Sequence, residues 1–413
     1  MYAQEGSVSP YSYFGIGESR TQSTVENQMM GGIGVYADSI HVNLINPASY
    51  SKLGISRNNN SGFITYTAGI SRKEITLSDA TSQEKTSLTS LDYLSLGINI
   101  SKGFGIGFGL MPYTSVGYNL VEETINSNAA QVTNTFRGNG GLNKVYFSVG
   151  YEFYKNLSIG ASMNYNFGTI NYTQTQRVAN VLFGTYDRRS ARIDGVNFNL
   201  ALNYTPAITD NHTLYTSIRV NTQGNLTSRN TREAGSFSLL TEEDIDPITI
   251  DLEQQGLKTT GIKVAPTTTL GLGYGENKKW FLGAEYSFQE LDAFSNEFLG
   301  ATNVRYQSAS TFAMGGFYVP EHTSFTNYFK RVTYRAGLRM ENTGLIVNNQ
   351  EVNDFGITFG LGLPLGRSFS NINLGFELGK RGMASENLIE EKYFKINIGL
   401  SLNDLWFQKR KIN

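Results

Sequence analysis

Cysteine is absent from the chain of 413 residues, and histidine occurs only at His41, His212 and His322. A chain without thiols cannot form disulfides, use thiol catalysis or build a cysteine-based zinc site. The three histidines are far apart in sequence, so we predict no metal site, no cofactor and no enzymatic activity. The formal net charge of −1 gives no electrostatic reason to expect a nucleic-acid partner.

Charged residues and long apolar runs are also scarce. Asp, Glu, Lys and Arg make up 17% of the chain, against about 25% in soluble domains. No apolar run approaches the roughly 18 residues of a transmembrane helix. The N-terminus lacks a basic region followed by an apolar one. We interpret Tyr2-Ala3-Gln4 as the end of a removed signal peptide, and an ordinary cytosolic start is the alternative.

Glycine and aromatic residues are abundant instead, with 44 Gly, 24 Tyr and 25 Phe. From about residue 60 onward, apolar residues alternate with Gly, Ser and Asn, and this period of two is typical of β-strands. We count fourteen such segments, roughly 61–72, 89–101, 103–122, 142–154, 156–175, 189–205, 212–226, 258–274, 279–291, 302–316, 331–342, 352–365, 368–381 and 391–404. This count predicts an all-β fold, a transmembrane antiparallel barrel of about 14 strands in the outer membrane of a Gram-negative bacterium. A soluble β-sandwich is the alternative.

Connections between the segments alternate between short and long, which is typical of outer-membrane barrels. We expect short periplasmic turns and long outer loops at about 73–88, 123–141, 176–188, 227–257, 292–301, 343–351 and 382–390. The exception is the inner connection from Pro320 to Arg331. Both chain ends then lie in the periplasm, and residues 409–413 form a short tail.

Residues 1–55 do not follow the strand pattern, and they are too apolar for a free linker. We expect a plug, or hatch, inside the lumen of a barrel that spans residues 56–408. A periplasmic arm that binds a partner is the alternative.

The glycine-rich start, the element Asn46-Pro47-Ala48-Ser49 and the stretch GFGLMPYTSVGY together resemble the FadL/TodX family of outer-membrane transport proteins. The resemblance implies a lumenal hatch that includes Asn46, Pro47 and Ala48. It also implies a lateral opening at a kinked third strand, carried here by Gly109 and Pro112.

The third strand contains GFGIGFGLMPY, whose glycine spacing and lack of a following helix do not fit a phosphate-binding loop. Alternate glycines leave its lumen face bare, and proline in a closed sheet requires a bulge or a break. We therefore predict a lateral gate at the residues Gly107, Gly109, Met111, Pro112 and Tyr113.

Inward-facing charges are expected at Lys144, Glu152, Glu285, Arg335, Arg339, Glu377 and Lys395. They form either ion pairs that hold the hatch or, at Arg335 and Arg339, a site for a substrate carboxylate. The tenth segment reads poorly, because its predicted outer face of Val304, Tyr306, Ser308, Ser310, Phe312 and Met314 would place two serines in lipid. Either the register is shifted there, or Ser308 and Ser310 face another protein.

Two functions remain open. The first is passive transport of a hydrophobic small molecule, such as a fatty acid or another lipid-like compound, with lateral exit at the third strand. The second is a non-enzymatic accessory subunit of an outer-membrane secretion or barrel-assembly complex. The partners expected are therefore membrane lipid and a hydrophobic ligand in the first case, and other outer-membrane proteins in the second.

Overall fold

The computed structural model of the protein describes residues 7–54, 62–127, 129–291, 294, 296, 298, 304–366, 369–384 and 388–406. The predicted signal-peptide remnant at residues 2–4 and the predicted tail at 409–413 lie outside these residues.

Fourteen antiparallel strands form the wall of a closed β-barrel, which confirms the predicted fold class. Three of the strands are interrupted and consist of two or three pieces. The strands are β1 Gly62–Ser78, β2 Gln83–Ser101, β3 Phe104–Ile125, β4 Gln131–Tyr154, β5 Leu157–Val178, β6 Phe183–Tyr204, β7 His212–Asn221 with Gly224–Ser238, β8 Asp244–Thr249 with Thr259–Val264 and Thr267–Glu276, β9 Trp280–Gln289, β10 Val304–Tyr306 with Ala309–Tyr318, β11 Thr333–Val347, β12 Gln350–Pro364, β13 Asn371–Arg381 and β14 Glu390–Trp406.

The wall closes where β14 pairs with β1, from Glu390 opposite Ser78 to Trp406 opposite Gly62. Around the rest of the ring each strand pairs with the next one in sequence. Consecutive antiparallel strands need only short connections, so the chain runs up and down around the ring.

The two faces of the wall differ in chemistry. Outward side chains are large, apolar and exposed, and they include Leu94, Phe108, Val145, Ile159, Phe198, Leu270, Leu282, Phe312, Phe359, Leu378 and Ile398. Inward side chains are small or polar and buried, and they include Ser148, Ser158, Ser162, Asn166, Asn203, Ser217, Thr358, Asn373, Asn397 and Ser401. This is the arrangement of a barrel surrounded by lipid, and it is the reverse of a sandwich that buries its apolar faces.

The strands β3 to β6 have 22 to 24 residues, about twice the roughly 9–11 that cross a membrane. The prediction of long loops at 123–141, 176–188 and 227–257 was therefore wrong, because most of these residues continue the hydrogen-bonded ladders. The predicted loops at 73–88 and 343–351 are likewise largely strand. Both faces of these extensions are polar, so the apolar period ends where the ladder does not.

The N-terminal segment, residues 7–54, lies inside the ring and carries little regular structure. Its elements are the 3-10 helices Pro10–Tyr13 and Pro47–Lys52, the two-residue strand Glu18–Ser19 and the one-turn helix Val25–Gln28. The main core lies between this segment and the wall. It comprises Val25, Met29, Val42, Leu44, Tyr50 and Leu53 from the segment with Tyr93, Met111 and Tyr146 from β2 to β4.

The tenth strand shows why its register was hard to predict. Its two pieces are separated at Gln307 and Ser308, opposite a register break in β11. Ser310 keeps the alternation of the outward residues Phe312 and Met314, but Tyr306 points inward and contacts Gly15. The outward assignment of Tyr306 was therefore wrong. Ser308 is exposed.

Candidate functional site: the filled lumen and the split wall

Inward-facing glycines of the wall are the places where the backbone of the N-terminal segment approaches most closely. A Cβ atom added to Gly105 would lie 2.1 Å from the Tyr50 carbonyl oxygen. One added to Gly160 would lie 2.2 Å from the Ala48 nitrogen, and one on Gly337 would lie 2.2 Å from the Gly31 nitrogen. Because no Cβ atom fits at these distances, the segment rests against β3, β5 and β11 only where glycine leaves room.

The Asn46-Pro47-Ala48 element is buried within this contact surface. The Asn46 side-chain amide donates to the Gly34 carbonyl oxygen (3.0 Å) and to Asn203 Oδ1 on β6 (3.0 Å). Pro47 then begins the 3-10 helix that packs against the inner face of β4 and β5. These residues thus fix both the internal fold of the segment and its position on the wall.

Ion pairs tie the segment and the wall together at two places. Glu285 of β9 pairs with Arg219 of β7, and its other oxygen accepts from the Gly34 N–H (3.0 Å). On the opposite wall Arg381 binds Glu18 of the segment (2.7 Å) and Asp354 (2.9 Å). Sequence reasoning missed Arg219, Asp354 and Arg381, although all three lie on inward positions of alternating strands.

The predicted lumenal charges do not form one site. Arg339 contacts Asp354 and Glu377, each at 3.3 Å, as well as Glu341. Arg335 lies apart and donates to Asn373 Oδ1 (2.9 Å). Lys395 lies near Gln28, at 3.2 Å. Since Arg339 already has three carboxylate neighbours, Arg335 and Arg339 do not offer a shared free site for a substrate carboxylate.

Within the segment, Asp38 and His41 form a local ion pair with 2.6 Å between Oδ2 and Nδ1. Burial disfavours a charged imidazole, but the carboxylates of Asp38 and Glu26 outweigh this effect and raise the pKa of His41 above its usual value. Burial likewise opposes the charge on Asp38, yet His41 and the backbone N–H groups of Ile40 and His41 lower the pKa of Asp38. The pair stabilises the turn that precedes Asn46.

The wall is split between β2 and β3. Their pairing ends at Leu94 opposite Leu110. Beyond it, in the described residues, β2 from Gln83 to Tyr93 pairs only with β1. The predicted gate residue Pro112 lies at the start of this split, where the register of β3 against β4 shifts. A proline here removes no ladder hydrogen bond to β2, because no such ladder exists.

Residues 18–20 of the N-terminal segment bridge this split. Glu18 and Ser19 pair with Ser115 and Thr114 of β3, and the Arg20 N–H donates to the Tyr113 carbonyl oxygen (3.0 Å). The Arg20 guanidinium reaches across to Asp92 on β2, 3.3 Å away. The segment therefore fills the opening with one strand pairing on one side and one ion pair on the other.

The other predicted gate residues face inward beneath the bridge. Met111 packs in the main core beside Tyr50, and Gly107 leaves room for the Tyr50 ring. A Cβ atom on Gly109 would meet the Leu94 carbonyl oxygen at 2.5 Å. Tyr113 lines a cavity of roughly 610 Å³ between the segment and the wall. The cavity walls mix charged, amide and aromatic side chains.

In the described part of the chain, His, Asp and Glu residues form no cluster that could hold a metal ion. No helix among the described residues is long and apolar enough to cross a membrane.

A family model described as BamG matches residues 1–413, which is the whole chain. The chain belongs to the BamG family. A search of curated protein sequences found no match for this BamG-family chain.

Several solved structures share the fold of this BamG-family chain at low sequence identity. The CymD monoaromatic hydrocarbon channel is 12% identical with a TM-score of 0.57, and the match covers 94% of this chain and 99% of that one. The Pseudomonas putida toluene transporter TodX is 15% identical with a TM-score of 0.57 over the same shares. A Pseudomonas aeruginosa FadL homologue is 12% identical with a TM-score of 0.55, again over 94% and 99%. The FadL/TodX resemblance thus holds for the architecture, while the family label is BamG.

Proposed function

We propose that this protein is a non-enzymatic barrel subunit of a multiprotein complex in the outer membrane of a Gram-negative bacterium, where it assists the assembly or secretion of other proteins. Membership of the BamG family over the whole chain carries this proposal. The exposed apolar belt on the barrel exterior supports the location, because such a surface requires lipid.

The state of the lumen supports a role other than conduction. Residues 1–55 serve as a hatch in this proposal, and the described part of them fills the ring and seals the split in its wall. Backbone contacts against glycines at 2.1–2.2 Å from a hypothetical Cβ leave little room for the hatch to slide. A solute would have to displace buried ion pairs as well as core side chains.

The inner connection from Pro320 to Arg331 offers a docking surface for a partner. It forms a 3-10 helix, Tyr328–Arg331, and Phe325 before it is fully exposed while Phe329 is 72% exposed. Large aromatic side chains at such exposure usually mark an interaction site. This connection and the exposed serine at Ser308 are the surfaces at which we expect neighbouring subunits.

Photo-crosslinking tests the proposal directly. A photoreactive amino acid at Phe325 or Phe329 should yield crosslinks to other outer-membrane proteins, and purification in mild detergent should recover them in stoichiometric amounts. The same amino acid at Phe312, on the lipid-facing side, is the matched control and should crosslink only to lipid. A lone barrel with no protein crosslinks from either position would contradict the subunit proposal.

Passive transport of a hydrophobic compound with lateral exit at β3 is the second candidate, favoured by the split at Pro112 and the cavity beside it. The architecture shared with hydrocarbon channels also supports it. In proteoliposomes the wild type should then take up a labelled hydrophobic solute, and Pro112→Val should slow uptake by straightening β3. Unchanged uptake in Pro112→Val would exclude the lateral gate.

A further inference from the structure

The cavity between the N-terminal segment and the inner face of the wall contains a lysine that lacks an ion pair. Lys144 of β4 lines this cavity and is 7% exposed. Its ammonium group donates to the side-chain oxygen of Gln22. Among the described residues, no carboxylate lies within 4.0 Å of it.

Each of the other cations that line the cavity has a carboxylate partner. These pairs are Arg20 with Asp92, Lys73 with Glu18, Arg219 with Glu285, Arg339 with Asp354, Arg381 with Glu18 and Lys395 with Asp92. Lys144 therefore departs from the rule that the rest of this wall follows. A charge withdrawn from water without a counter-charge is strongly disfavoured, so its position requires a partner that the chain itself does not supply.

Polar groups without partners surround Lys144 on the same face of the sheet. Asn166 lies directly opposite it on β5, and Asn164 is the next inward residue of that strand. Asn164 is buried, lines the cavity and makes no hydrogen bond to the rest of the described chain. On β3, Thr114 also lines the cavity, and its buried hydroxyl has no partner within the described residues.

We propose that this cavity binds an oxyanion, a carboxylate or phosphate group, at Lys144, with the Thr114 hydroxyl and the Asn164 amide as further donors. Diagonal neighbours on a sheet are about 7–8 Å apart, so side chains from β3, β4 and β5 can converge on one small anion. The ammonium supplies the charge, and the two neutral donors supply direction. The site is independent of the function proposed above.

The anion can be a free ion or the head group of an amphiphile, since the same cavity also has aromatic lining at Phe288, Phe294 and Tyr306. Thermal unfolding of the purified full chain in non-ionic detergent, with phosphate, acetate or decanoate at constant ionic strength, distinguishes these sources. Stabilisation by phosphate or acetate indicates a free anion. Stabilisation by decanoate alone indicates an amphiphile.

Variants at Lys144 test the assignment. Lys144→Met should weaken binding of the stabilising anion at least tenfold in calorimetric titration, whereas Lys144→Arg should retain it. Lys395→Met is the matched control, because it removes a cation from the same cavity that already has Asp92 as its partner, and it should retain the anion response. The proposal is overturned if none of the three anions binds the wild type, or if Lys144→Met binds as tightly as the wild type. Titration of the wild type alone decides the first point even where a variant fails to fold.

Discussion

Gly160 of β5 offers the sharpest test of whether the N-terminal segment is held by close backbone contact. A methyl group at this position would lie 2.2 Å from the Ala48 nitrogen and 2.3 Å from the Pro47 carbonyl carbon. Both atoms belong to the backbone of a buried 3-10 helix, so neither can rotate away as the end of a flexible side chain could. We expect Gly160→Ala to push residues 46–52 off the wall.

The expected magnitude follows from overpacking a filled core, which costs about 1–3 kcal/mol. Each 1.4 kcal/mol is a factor of about ten in an equilibrium constant. Amide hydrogen exchange in residues 46–52 should therefore become about 5- to 140-fold faster, where exchange reports the free energy of local opening. Protection of the wall strands away from β5 should stay close to that of the wild type.

Gly261→Ala is the matched control, because nothing lies within 4 Å of a Cβ atom at Gly261 and its backbone needs no positive φ. This variant should be neutral or more stable by up to about 1 kcal/mol, since alanine restricts the unfolded chain. If Gly160→Ala leaves the exchange of residues 46–52 at the level of the control, the close contact does not hold the segment, and the argument for a fixed hatch fails.

Three further predictions concern the polar contacts. Arg219→Met should destabilise the barrel to unfolding by about 3–5 kcal/mol, because it strands the buried carboxylate of Glu285, and adding Glu285→Leu should recover more than half; a double variant as unstable as the single one would contradict this. The raised pKa of His41 means that its contribution to stability is complete below its unfolded pKa of about 6.5 and is lost as pH rises through its folded pKa. The difference in unfolding free energy between the wild type and His41→Gln should therefore shrink from pH 6 to pH 9, and a constant difference would count against the ion pair. Arg20→Ala should speed exchange of the Ser19 amide more than that of residues 46–52, since Arg20 alone spans the split to Asp92, and equal acceleration of both would argue that the segment moves as one body.

The strand count could be predicted because lipid and lumen impose opposite chemistry on alternate residues. In GVNFNLALNY the outward Phe198 and Leu200 are exposed, while the inward Asn199 and Asn203 are buried, as the period of two requires. The lengths of the strands could not be predicted in the same way. Above the apolar belt β5 and β6 remain paired as far as Gln176 and Thr185, but with polar residues on both faces the alternation disappears.

Contacts between distant residues were also beyond the sequence pattern. Arg219 and Glu285 each occupy an inward position, yet nothing in their own strands indicates that the Gly34 amide lies between the two. The bridge of residues 18–20 depends on where β2 and β3 separate, which a proline at 112 suggests but does not locate. The inward turn of Tyr306 follows from the register break beside Gly344, whose absent side chain admits the Gln307 carbonyl oxygen.

The pairing of Ser19 with Thr114 has a practical consequence for a chain that has no cysteine. Residues directly opposite each other on antiparallel strands have Cα atoms about 4.5–5.5 Å apart, within the range that a disulfide spans. Cysteines at these two positions would be the sole thiols of the molecule, so oxidation could join them and nothing else. Oxidant and reductant would then lock and unlock the seam at will, which would separate what an open wall does from what a damaged one does.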